Sequence, residues 1–92
     1  MPEYAYCSST RAGKEDDPLF EVSISDSKVS IRYNVKNMFY MKNVIDSADS
    51  ATTKRILDAM VKASLKVIAK SSSGAELVRR ANSLAANIQM EE

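Results

Sequence analysis

The 92-residue chain has 45% hydrophobic and 27% charged side chains with only 2 glycines and 2 prolines, a composition that excludes wholesale disorder and allows one domain with one core. It contains no histidine and 1 cysteine, which removes the commonest general base, the commonest metal ligand, a cysteine-built zinc site and any intramolecular disulfide. The formal net charge is +1, yet residues 50–92 hold seven basic and four acidic side chains against six and eight in residues 1–49, so the second half is the cationic one.

In chain order, residues 1–7 alternate weakly, with Tyr4 and Tyr6 on one side; this fits a short edge strand or a tail lying on the core. Residues 8–18 are polar without a period and predict a mobile loop. Strict alternation follows over 19–36. Phe20, Val22 and Ile24, then Val29, Ile31, Tyr33 and Val35, predict a β-hairpin turning at Asp26-Ser27. In that register Ile24 faces Val29, Val22 faces Ile31 and Phe20 faces Tyr33, so the apolar side chains share one face; Glu21 faces Arg32 on the wet one.

Residues 37–48 are ambiguous in period. Met38, Met41, Ile45 and Ala48 fit a short helix capped by Asn37, whereas Phe39 and Tyr40 suit a strand extension. Residues 50–70 predict an amphipathic helix capped by Asp49 or Ser50. Its apolar side reads Ile56, Leu57, Met60, Val61, Ser64, Val67 and Ile68, and its charged side Lys54, Arg55, Asp58, Lys62, Lys66 and Lys70. The break Ser71-Ser72-Ser73-Gly74 precedes a helix over 74–90, opened by a capping box of Ser73 and Glu76. There Leu77, Val78, Ala81, Leu84, Ala85 and Ile88 face inward, and Arg79, Arg80, Asn82, Ser83 and Asn87 outward. These elements make a single α+β domain, a small antiparallel hairpin or sheet covered on one face by a C-terminal antiparallel helical hairpin.

No apolar run approaches the ~20 residues that span a bilayer, and the Met1-Pro2-Glu3-Tyr4 start lacks the order of a secretion signal. With Cys7 unpaired, the expected compartment is the cytoplasm. No phosphate loop is present, and Glu15, Asp16 and Asp17 have no local apolar pocket to tune them for acid–base work, so no catalytic residue, cofactor or metal is expected.

Three patches remain as candidates. Lys54, Arg55, Lys62, Lys66, Lys70, Arg79 and Arg80 are candidate phosphate or nucleic-acid contacts, although an isoelectric point near 7.8 is low for such a module. Ser71, Ser72, Ser73 and Gly74 form a candidate anion site at a helix start, which capping alone also explains. Phe39, Leu65, Leu77, Ala81, Leu84 and Ile88 are candidate protein contacts, together with the open edges of a small sheet. The expected function is a non-enzymatic protein-interaction module, a small accessory protein working as a homo-oligomer or as a subunit, adapter or inhibitor of a larger partner. The alternative is nucleic-acid or nucleotide-phosphate binding through residues 54–80; no membrane partner is expected.

Overall fold

The computed structural model describes residues 3–90. Met1 and Pro2 of the N-terminal segment and Glu91 and Glu92 at the other end lie outside the described residues. Three strands, β1 (Ala5–Arg11), β2 (Phe20–Ser25) and β3 (Lys28–Asn34), form one sheet in the order β1-β3-β2. Asp26 and Ser27 alone connect β2 to β3, and both take positive φ, 51° and 61°. This backbone gives a two-residue turn the twist of the flanking strands. It fixes the register anticipated from the sequence: Ile24 opposite Val29, Val22 opposite Ile31, Phe20 opposite Tyr33. Phe20 and Tyr33 meet edge to face, with ring centroids 5.9 Å apart.

The expected loop over 8–18 is corrected at its start, because residues 8–11 are the second half of β1. That strand runs parallel to β3, pairing Tyr6 with Val29, Ser8 with Ile31 and Thr10 with Tyr33, so the sheet is mixed. Serines and a threonine carry little strand signal alone. They are held here by backbone pairing with β3, whose second edge they occupy.

The connection from β1 to β2 is tied down by two buried asparagines. The Asn34 side chain accepts from the Gly13 and Lys36 amides at 2.9 and 3.0 Å and donates to the Lys14 carbonyl at 2.7 Å. Asn37 donates to the Asp17 carbonyl at 2.9 Å, while its side-chain oxygen caps the Tyr40 amide. That cap starts α1 (Met38–Tyr40), which runs straight into a π-helical turn, Met41–Ile45. Tyr40 and Val44 from this segment enter the core.

Two longer helices cover the apolar face of the sheet. Helix α2 (Ser50–Ala69) is capped by Asp49, whose side chain accepts from the Thr52 amide at 3.1 Å. Helix α3 (Gly74–Asn87) starts at Ser73, whose hydroxyl accepts from the Glu76 amide at 3.2 Å. The α3 helix lies against β2, burying Leu77, Ala81 and Ala85. The α2 helix lies towards β3 and β1, with Asp58 bonded to Tyr33 and Ser8, and Lys66 over the Tyr6 ring. The result is a two-layer α+β domain whose opposite sheet face, with Cys7, Glu21, Ser23 and Arg32, is left exposed.

Asn82, expected to face outward, turns to the sheet instead. Its side chain accepts from the Val22 amide at 2.8 Å and donates to the Val22 carbonyl at 3.2 Å. It thus occupies the free border of β2 as a neighbouring strand would. Among the described residues the border of β1 has no such cover; its backbone bonds beyond the ladder run to Ser27 and Val35, on the β3 side.

Candidate interaction surface

Helix α2 carries two apolar arcs rather than one. At about 100° per residue, Leu57, Val61, Leu65 and Ile68 form the first, and Ile56, Met60, Ala63 and Val67 the second. The structure turns the first arc inward: Leu65 is 0% and Val61 5% exposed, with Leu57, Ile68 and Ala69 packed beside them. The helix is therefore rotated by about a quarter-turn from the expected orientation. Ile56, Met60 and Val67, expected in the core, are 56%, 64% and 65% exposed. Leu65, expected at the surface as a protein contact, is fully buried.

Polar chemistry decides between the arcs. Tyr33 is 1% exposed, so its hydroxyl must find an acceptor inside the fold. Asp58 provides it at 2.9 Å and also accepts from Ser8 and, at 2.8 Å, from Lys62. Only with Leu65 inward does Asp58, two turns earlier on the same side, reach that phenol. Partial burial works against the Asp58 charge, but the bonds from Lys62, Ser8 and Tyr33 outweigh it and hold the carboxyl below its ordinary range. Burial, and then the adjacent Asp58, push the Tyr33 phenol far above its ordinary value, so it remains a donor.

This rotation breaks up the expected cationic face. Lys62 is paired with Asp58, Lys66 sits 5.6 Å from the Tyr6 ring centroid, and Arg80 donates to Ser72 at 2.8 Å. Lys54, Arg55, Lys70 and Arg79 are exposed. The candidate anion site is likewise engaged internally. Ser71 and Ser72 accept from Arg80, Ser72 also donates to the Ile68 carbonyl, and Ser73 caps α3. Glu76 does not complete a reciprocal box but faces Arg80 at 3.8 Å.

Among the other candidate protein contacts, Leu77 and Ala81 are corrected: both are 0% exposed, and the helix they face is in their own chain. Leu84 is half-buried against the core. Phe39 and Ile88 are half-buried too, and line a cleft of about 660 Å³ with Met38, Met90 and the Glu15–Asp17 loop. Among the described residues no cluster of acidic, cysteine or histidine side chains could hold a metal, and no helix is long and apolar enough to cross a membrane.

The outer arc of α2 is the surface that sequence reasoning missed. From Ile56 to Val67 it spans roughly 17 Å with no charged side chain on its crest. The second arc was present in the sequence, at positions 56, 60, 63 and 67, but nothing local says which arc faces in. No protein-family model, no curated protein and no solved structure matches the chain.

Proposed function

We propose that the chain is a non-enzymatic protein-interaction module, and that its contact surface is the outer face of α2. One observation carries this reading: a helix already buried along one arc presents a second, uncharged apolar arc to water, with Met60 64% and Val67 65% exposed. A helix apolar on two sides has the pattern of one covered on both. Isolated exposed apolar residues are ordinary, but four in register along three turns form a strip of the kind that marks contact sites.

A photo-crosslinking side chain at position 60, with position 21 on the uncovered sheet face as control, tests the surface in extracts of the native source. Adducts at position 60 well above those at position 21 are expected. Equal, background-level labelling at both positions would overturn the reading.

A further inference from the structure

We infer that the occupant of the α2 outer face is the same face of a second copy, packed antiparallel about a two-fold axis between Met60 and Ala63; this rests on the reading above. Thr53, Ile56, Met60, Ala63, Val67 and Lys70 follow one another at alternating three- and four-residue steps, the spacing of a helix–helix seam. That sequence of steps reads the same from either end. Reversing one helix against the other therefore sets Met60 against Ala63, Ile56 against Val67 and Thr53 against Lys70. Each apolar pair joins a larger side chain to a smaller one, as interdigitation at an 8–10 Å helix separation requires.

Charge selects the antiparallel arrangement. The exposed Asp49 cap stands at the start of α2 and the exposed Lys66 and Lys70 at its end. Antiparallel packing brings the lysine end of each copy to the acidic cap of the other, and opposes the two helix dipoles. Parallel packing would set lysine against lysine and cap against cap. The flanking Ala59 and Ser64 are small and uncharged, so neither obstructs close approach. A seam of three turns lies at the small end of specific interfaces, which points to a weak dimer that forms as concentration rises.

The test is sedimentation equilibrium of the full chain under reducing conditions, which keep Cys7 from cross-linking. A mass rising to twice 10.2 kDa by about 1 mM is expected. Met60→Lys, at a position 64% exposed, should leave thermal melting unchanged while weakening the dimer more than about 100-fold. Lys70→Glu, which replaces a cation one turn from the other copy's Asp49 cap with an anion, should weaken it about fivefold. Spin labels at position 71 in a Cys7→Ser background should lie about 30 Å apart in the antiparallel dimer, against about 10 Å in a parallel one.

A monomer at 1 mM, a parallel label distance, or a dimer strengthened by Lys70→Glu would each overturn the inference. A monomeric protein that still forms position-60 adducts with a different protein would overturn it and leave the interaction surface standing. A dimer indifferent to Met60→Lys that also gives no position-60 adducts would remove both.

Discussion

Asp58 is the residue on which the orientation of α2 turns. Its carboxylate accepts from Tyr33, Ser8 and Lys62 and is mostly shielded, with 22% of the side chain exposed. Because its carboxyl titrates below the ordinary value in the folded chain, the stability it provides is present above about pH 4, where the unfolded group is also ionised. That contribution is lost as pH falls through the lower folded value. Asp58→Asn should therefore lower stability at pH 7 by about 1–2 kcal/mol, roughly 5–15 °C in melting temperature, and flatten its decline between pH 5 and pH 2. Thermal melts across that range check both signs; equal slopes for the two proteins would remove Asp58 from its place under Tyr33. The sequence marks Asp58 only as an interruption in a lysine face. Its meaning depends on a tyrosine 25 residues earlier, and no local period carries that pairing.

At the scale of elements, the hairpin and the span and cap of α2 were legible and the rotation of α2 about its axis was not, for a physical reason. Alternation has a period of two, so shifting β2 by one residue would send Phe20, Val22 and Ile24 to water together, and only one register survives. A helix with apolar residues at both 57-61-65-68 and 56-60-63-67 has no such penalty between its orientations. The sheet floor, through Tyr33 and Ser8, makes the choice. β1 was legible only in part: Tyr4 and Tyr6 signal a strand, but Ser8-Ser9-Thr10 reads as loop until β3 offers its edge. The turn itself is open to improvement. Asp26 and Ser27 occupy the left-handed region at a cost that asparagine and glycine largely avoid. Asp26→Asn with Ser27→Gly should raise the urea midpoint by the equivalent of about 0.5–1 kcal/mol with an unchanged slope. An unchanged or lower midpoint would mean that the side chains support the turn in another way.

For the whole molecule, the two borders of the sheet differ. Asn82 covers β2 at Val22 and, among the described residues, β1 is bare, while the helices shield one face and polar and charged residues, Glu21, Ser23 and Arg32 among them, line the other. Asn82→Ala should cost about 1–2 kcal/mol, since the Val22 amide and carbonyl lose a common partner. It should also change how the protein behaves on prolonged incubation. Wild-type solutions are expected to show no thioflavin-positive material where the variant does after gentle destabilisation; equal behaviour would mean that α3 as a whole, not this side chain, guards the border. Edge-to-edge joining of sheets is a matter of valence. A ribbon with one reactive side closes with its first neighbour and then stops, whereas one with two propagates into a filament. By that count, a single amide separates a chain terminator from a monomer unit.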